Sequence, residues 1–473
     1  MNKRIAFIYT LLLGLFFGCN NENEEISSDQ GIDFLRWRWV NSLTGPSDED
    51  EIDAIASDAQ GNVYLSGKFE EFLVVEGQPD TLISAGGADI MVVKYDRKGA
   101  WQWTKRFGGI GEDNIFDAAC DSEGNIILSG LFQEEIRFGN DLLRAKGGFD
   151  FVVVKLSSDG EVLWTLQAGG AGNEGGNEVS IGPNNQVIVG AQGDGRFVGN
   201  NFDFQNTGGV DAYVLSITAE GTVDWVKAIR GSGNAQAKAI GVDRQGNVYL
   251  GGDFNGACYA SSPSSLFELK GGRDAYMTNW TATGELRWEK SWGGRGDDQC
   301  KGVIVNEELD VYLSGFFEQT ALLGADTLFS NGLRDLFLWK VDTEGKGVWL
   351  RQIASSFSLL GMELALDASG GLFFGLGLQG FNTFGSTSPL PVEVTAPGAG
   401  EWPVLIQYSK EGQWLDAIFA DESENGRFGE ISRSGQRVYL DLVYEGGLYR
   451  FGNYTVVSDP GNKEAAVVSI EVN

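Results

Sequence analysis

Apolar and polar residues follow one another along this chain in short runs, and the runs recur. One stretch opens on Phe116-Asp117-Ala118-Ala119-Cys120, turns at Asp121-Ser122-Glu123-Gly124-Asn125 and continues as Ile126-Ile127-Leu128-Ser129-Gly130. A long polar stretch then leads to Gly147-Gly148-Phe149-Asp150 and a strongly apolar run, Phe151-Val152-Val153-Val154-Lys155-Leu156. The turn Ser158-Asp159-Gly160 delivers Val162-Leu163-Trp164-Thr165. Short β-branched and aromatic runs bounded by Asp, Asn and Gly predict strands joined by hairpins. The four are lettered A to D from the innermost outward.

The same parts return along the chain. The A–B turn reads Asp58-Ala59-Gln60-Gly61-Asn62 and Asp243-Arg244-Gln245-Gly246-Asn247. Strand C is entered through Gly86-Gly87-Ala88-Asp89, Gly208-Gly209-Val210-Asp211 and Gly271-Gly272-Arg273-Asp274. A tryptophan marks each D strand: Trp39, Trp103, Trp164, Trp225, Trp288, Trp349 and Trp414. A period of roughly sixty residues with this patterning predicts a propeller-type array. A–B–C sets begin near Ile52, Phe116, Glu178, Ala239, Gly302, Glu363 and Phe428. The last set has no D strand after it, whereas Phe34 to Val40 is a D-like segment with no set before it. The expected fold is therefore all-β: a seven-bladed β-propeller of four-stranded antiparallel blades, closed by the N-terminal strand in the last blade, which leaves no open edge. It occupies residues 34–473.

The motif Asp-x-x-Gly-Asn-x-Tyr-x-x-Gly, followed by Gly-Gly-x-Asp-x-(Phe/Tyr)-Val-x-Lys and a Trp strand, resembles the SBBP-type β-propeller repeat of bacterial surface and secreted proteins. The resemblance runs from about Phe34 to the C-terminus. It implies a fold and an extracytoplasmic setting, and it brings no shared catalytic site. Glycine, 68 of 473 residues, is abundant in the way tight turns demand.

The N-terminus reads as a targeting signal. Lys3-Arg4 precede an apolar run from Ile5 to Phe17 that is too short to span a membrane as a mature helix. Gly18-Cys19 resembles a bacterial lipobox, which implies a signal peptide over 1–18, lipidation at Cys19 and an acidic tether over 19–33. The acidic run after Cys19 resembles the surface-export signal of some Gram-negative lipoproteins. The expected location is the outer membrane, on either its periplasmic or its outer side, with the lipid as the only membrane attachment.

The net charge of −31 repels nucleic acid and anionic membrane surfaces and leaves room for cationic partners. Histidine is absent, so no Ser-His-Asp triad, Cys-His dyad or His-ligated metal site exists. Cys258 and Cys300 fall in connections of neighbouring repeats and are expected to form a disulfide in an oxidising compartment, the alternative being two free thiols. Cys120 reads as a small buried residue.

Candidate chemistry gathers in the acidic D–A connections: Asp48-Glu49-Asp50-Glu51, Gly111-Glu112-Asp113, Gly296-Asp297-Asp298 and Asp421-Glu422-Ser423-Glu424. Their carboxylates would either converge on a cation or sugar or cap their own glycine turns. Glu112, Asp113, Asp297 and Asp298 are the candidate binding patch. No loop matches the calcium pattern Asp-x-Asp-x-Asp-Gly, so no cofactor is expected, calcium being the one metal these loops would suit. The recurring Asp89, Asp150, Asp211, Asp274 and Asp335 read as turn builders, because a ligand site rarely needs one residue five times around a ring. The Gly-x-x-x-Trp spacing, as in Gly160 to Trp164, resembles the tryptophan-docking motif of quinoprotein dehydrogenases, in which the Trp wedges between blades. The expectation is a monomeric, non-enzymatic module that binds a protein or glycan on its loop face. The alternatives are a carboxylate-based enzyme acting on polysaccharide and a quinone- or metal-dependent oxidoreductase.

Overall fold

Each repeat folds as an antiparallel meander, and the turn chemistry read from the sequence is what folds it. The computed structural model describes residues 35–47, 50–355, 363–384, 392–396, 400–423 and 425–472. Cys19, the targeting segment 1–18 and the tether 19–33 lie outside these residues, as do Asp48, Glu49 and Glu424. Phe34 to Asn473 forms one compact unit.

The first four-stranded set is Glu51–Ser57, Val63–Phe69, Asp89–Tyr95 and Trp101–Phe107. The second is Asp113–Cys120, Ile126–Phe138, Asp141–Leu156 and Val162–Ala168. Glu174–Ile181, Val187–Gly193, Asp211–Ile217 and Val223–Gly231 follow. Next come Asn234–Val242, Val248–Asn255, Asp274–Trp280 and Leu286–Gly294, then Asp298–Val305, Val311–Phe317, Asp335–Val341 and Gly347–Ser355. Leu364–Leu366, Leu372–Leu378, Trp402–Tyr408 and Trp414–Phe419 form another. The C-terminal sheet joins Gly426–Ser434, Arg437–Phe451 and Tyr454–Val472 to the N-terminal Leu35–Thr44, in register from Leu35↔Val472 to Leu43↔Ala465. This is an all-β propeller with four-stranded antiparallel blades.

Most C strands are buried along nearly their whole length, Asp89–Tyr95 and Asp211–Ile217 among them, and Asp141–Leu156 is buried from Asp150 onward. A strand covered on both faces reads as a continuous apolar run, as these do. Inter-repeat contacts are equally regular. The indole N–H of Trp39, Trp103, Trp164, Trp225, Trp288 and Trp349 donates to Arg97, Ser158, Ala219, Ala282, Thr343 and Lys410 carbonyls at 2.8–3.1 Å, each in the C–D turn of another repeat. The ring lies against that turn's glycine. A Cβ on Gly221, which has φ +87°, would stand 2.8 Å from Trp164 Cδ2, so only glycine serves both the turn and the ring.

The aspartates at the entry to strand C build turns. Asp89, Asp150, Asp274 and Asp335 accept the backbone N–H four residues earlier, from Ala85, Lys146, Lys270 and Asn331, at 2.5–2.9 Å. The A–B turns use Asp58, Asp121, Asp243 and Asp367 in the same manner, with Oδ1 accepting two N–H groups of the turn in each.

Two expectations are corrected. Several B–C connections, expected as free binding loops, are instead strand-forming arms on the D strand of the preceding repeat. Phe72–Val75 pairs with Leu35–Thr44, Thr320–Leu323 with Leu286–Gly294, and Phe381–Phe384 with Gly347–Ser355. Each arm alternates as a strand does, burying Leu73, Val75, Ala321 and Leu323 while Phe72, Val74 and Leu322 face out. The expected disulfide is likewise absent, since Cys258 and Cys300 are free and buried. Cys258 lies on an outer arm in a core with Phe254 and Phe267, whereas Cys300 lies on an inner A strand packed with Val303 and Leu313. The two thiols therefore belong to different layers.

Candidate functional site

One irregularity recurs in the inner strands. The A–B ladder slips at Asp53, Phe116, Asn177, Lys238 and Lys301, and across Gly429-Glu430. A β-bulge leaves its extra residue unpaired and re-aims that side chain. Here the bulge residues, together with Glu178 and Glu363, line a cavity of about 760 Å³. Phe149, Val210 and Arg334 also line it. They occupy the variable position of the Gly-Gly-x-Asp motif. The wall is completed at this end by Asn173, Glu174, Gln192 and Asp194. The cavity thus sits where A strands begin and B strands end, on the side of the D–A and B–C connections.

The charges in this cavity are segregated. Lys238 and Lys301 come from consecutive inner strands and form no ion pair among the described residues. Arg334 on the same side is held by Glu318 at 2.8 Å and lies over the Phe316 ring at 4.4 Å. Asp53, Glu178, Glu363 and Glu430 line the same cavity from the other inner strands. Asp117 stands beside them and accepts the Val179 N–H at 2.6 Å, while Asp53 accepts Asn114 Nδ2 at 3.1 Å.

Crowding of carboxyls in a protein-walled space disfavours their charged forms. Loss of hydration raises Asp53 to about 6 and Asp117 to about 7. It raises Glu363 to about 8, with the Asp117 carboxylate adding to the effect. Glu178 and Glu430 are pushed well above the ordinary glutamate range by desolvation and then by Glu363. Lys238 is lowered by desolvation and then by Lys301. The group titrates as a coupled set that shares protons. At the rim Glu174 is 1% exposed. Its Oε2 accepts the Gly170 N–H at 2.8 Å, the Gly195 backbone N–H also donates to its carboxyl, and Gln192 Oε1 has no hydrogen-bond partner. No three Asp, Glu, Cys or His residues among the described residues are placed to hold a metal ion.

The residues expected to bind lie elsewhere. Asp113 accepts the Gly109 and Gln133 N–H groups, and Asp298 accepts that of Gly294. Glu112 accepts the Ala88 N–H and Asp297 that of Arg273. All four cap turns, and none of them lines the cavity. Acidic runs do not point to the cavity residues. The usable signal is a strand position that changes from repeat to repeat, as Asp53, Phe116, Asn177, Lys238 and Lys301 do.

No protein-family model matches the chain. It is 26% identical over 252 residues to the regulatory protein FlaEY of Caulobacter vibrioides, covering 47% of this chain and 25% of that protein; the chain spans about a quarter of the length of this relative. Among solved structures it is similar to virginiamycin B lyase from Staphylococcus aureus, with a TM-score of 0.42, 9% identity, and 92% of this chain and 98% of that one covered. The WD40 beta propeller domain of Doa1 aligns with a TM-score of 0.42, 9% identity, and 93% and 97% covered. A gluconolactonase from Xanthomonas campestris aligns with a TM-score of 0.32, 9% identity, and 72% and 84% covered. These are likenesses of fold: the chain is similar to β-propeller proteins.

Proposed function

We propose that this protein is a non-enzymatic binding module, held by a lipid on Cys19 at the outer membrane of a Gram-negative cell, that takes a polar ligand from a glycan or a protein into its central channel. The observation that carries this reading is the cavity of about 760 Å³ lined by carboxyls, amides, two lysines and phenylalanines. Concave sites with a few convergent polar groups among aromatic walls are where small ligands bind. In this reading the four-stranded sets are seven blades, and Leu35–Thr44 closes the ring. The pairing of that strand with Tyr454–Val472 supports it. So do two links between the C-terminal and first sets: Tyr439 Oη donates to Gly61 O at 2.7 Å, and Lys463 pairs with Glu51 at 2.5 Å.

The test is equilibrium binding of the full-length chain in detergent to a glycan array and a peptide array, repeated with Glu178→Gln. A ligand whose affinity falls tenfold or more in the variant supports the channel as the site; a ligand bound equally by both places the site elsewhere. A second reading, a carboxylate-based enzyme acting on polysaccharide, draws on two carboxyls in one cavity that titrate apart, Asp53 near 6 and Glu363 near 8. Release of reducing ends from a bound glycan would favour it.

A further inference from the structure

Resting on the channel as the binding site, we infer that its ligand is a zwitterion, a free amino acid or short peptide whose ammonium group sits among Asp53, Glu178, Glu363 and Glu430 and whose carboxylate sits on Lys238 and Lys301. Three observations carry this. The first is the arrangement of charge. The lysines come from consecutive inner strands, with Glu178 and Glu363 at the strands to either side and Glu430 and Asp53 beyond, all lining the same cavity. A neutral ligand gains nothing from such a division, whereas a molecule with both charges is oriented by it.

The second is imbalance. Four inner-strand carboxyls, Asp53, Glu178, Glu363 and Glu430, share the cavity with two lysines, and Asp117 stands beside them. Like charges at close quarters are costly, and a ligand cation relieves that repulsion. A metal ion fits poorly, because no three of these side chains converge closely enough to hold one. An ammonium group, broader and satisfied by single contacts to separate acceptors, suits dispersed carboxyls better. The third is an unused acceptor at the mouth, Gln192 Oε1, which is buried and has no partner. A buried acceptor left empty is costly, and a peptide N–H would fill it. Phe116, Phe149 and Phe316 supply the apolar wall against which a side chain would rest.

The cavity carboxyls hold protons that an incoming ammonium displaces, which gives the binding a signature beyond affinity. The experiment is calorimetric titration of the full-length chain in detergent at pH 7, in two buffers of different ionisation enthalpy. The probes are alanine, the tripeptide Ala-Leu-Ala, the same tripeptide acetylated and amidated, and maltotriose. The expected result is binding of alanine or Ala-Leu-Ala with net proton release, at least tenfold weaker binding of the blocked tripeptide, and at least tenfold weaker binding of the free tripeptide or alanine by the Lys238→Met/Lys301→Met variant. Which of the two zwitterions binds more tightly tells the free amino acid from the peptide. Equal binding of the blocked and free tripeptides overturns the inference, as does failure of both zwitterions to bind. Binding of maltotriose alone, weakened by Glu178→Gln, overturns the zwitterion and leaves the channel reading standing. Zwitterion binding unchanged in Glu178→Gln and in the double-lysine variant overturns both. The blocked-peptide comparison uses the unaltered chain, so it decides the matter even if the variants fold poorly.

Discussion

Replacing Trp39 with alanine tests whether the N-terminal strand closes the ring. Trp39 is 7% exposed and lies between the rings of Tyr95 and Tyr439, at centroid distances of 6.2 and 5.9 Å. Tyr439 belongs to the C-terminal set and Tyr95 to the first, so the indole stands at the joint between the two. Its N–H donates to Arg97 O at 3.1 Å, and a Cβ on Gly99 would meet its ring at 2.7 Å. Truncating a buried tryptophan costs about 3–5 kcal/mol through lost transfer energy and the cavity left behind. Unfolding entropy of about 2.1 cal/mol/K per residue over roughly 440 residues gives about 0.9 kcal/mol/K, so the melting temperature should fall by about 4 °C. Trp164→Ala is the internal standard. Its indole makes the same bond to Ala219 O at 3.0 Å and rests on Gly221, within the body of the array. Differential scanning calorimetry of the two variants beside the parent is the assay. Equal losses near 4 °C are the expected result. A loss below 1 °C for Trp39→Ala beside a full loss for Trp164→Ala would refute closure by this strand.

Four other outcomes are expected. The cavity carboxyls bind protons more tightly folded than unfolded, so stability should fall as pH rises from the ordinary glutamate range near 4.5 to about 8, the value reached by Glu363; Glu363→Gln should flatten the melting temperature over that window, as thermal scans at pH 5.5 and 8 would reveal. Asp113→Asn should cost about 1–2 kcal/mol of stability in urea unfolding, because the carboxylate holds two backbone N–H groups, and ligand affinity should not change. Alkylation of the denatured chain without reductant should label Cys120, Cys258 and Cys300 alike, read by mass spectrometry; a pair protected until reduction would restore the disulfide. Cys19→Ser should move the protein out of the membrane fraction, with persistence there in high salt counting against the lipid anchor.

The repeat was legible in the sequence because the same packing problem is solved over and over. Trp164 and Trp225, Asp150 and Asp274, Gly160 and Gly284 each meet the same neighbours, so spacing alone reveals their work. The cavity wall was harder to read for the opposite reason. Asp53, Phe116, Asn177 and Lys238 share a position and no chemistry, and their neighbourhood exists only once the inner strands gather round the channel. The acidic runs are ambiguous because hydrogen bonding to nearby backbone, which Asp113 and Asp298 accept, leaves the same mark in sequence as a surface awaiting a ligand. Cys258 and Cys300 misled because adjacency of loops says nothing of depth. Leu73 and Val75 lie in a connection read as a loop, and the strand they form is spent on the neighbouring repeat.

The bulge in the inner strands has a consequence for how such a protein changes over time. At each bulge one side chain is excused from the pairing that every other residue of the strand must honour. A substitution there alters what the channel presents and leaves the ladder, the indole wedges and the turn aspartates untouched. The inner strands therefore behave as a set of tumblers in a lock, each able to carry a new tooth while the rest of the fold stays the same. A lineage could exchange Lys301 for a glutamate, or Asp53 for an aromatic residue, and acquire a different key without passing through an unstable intermediate.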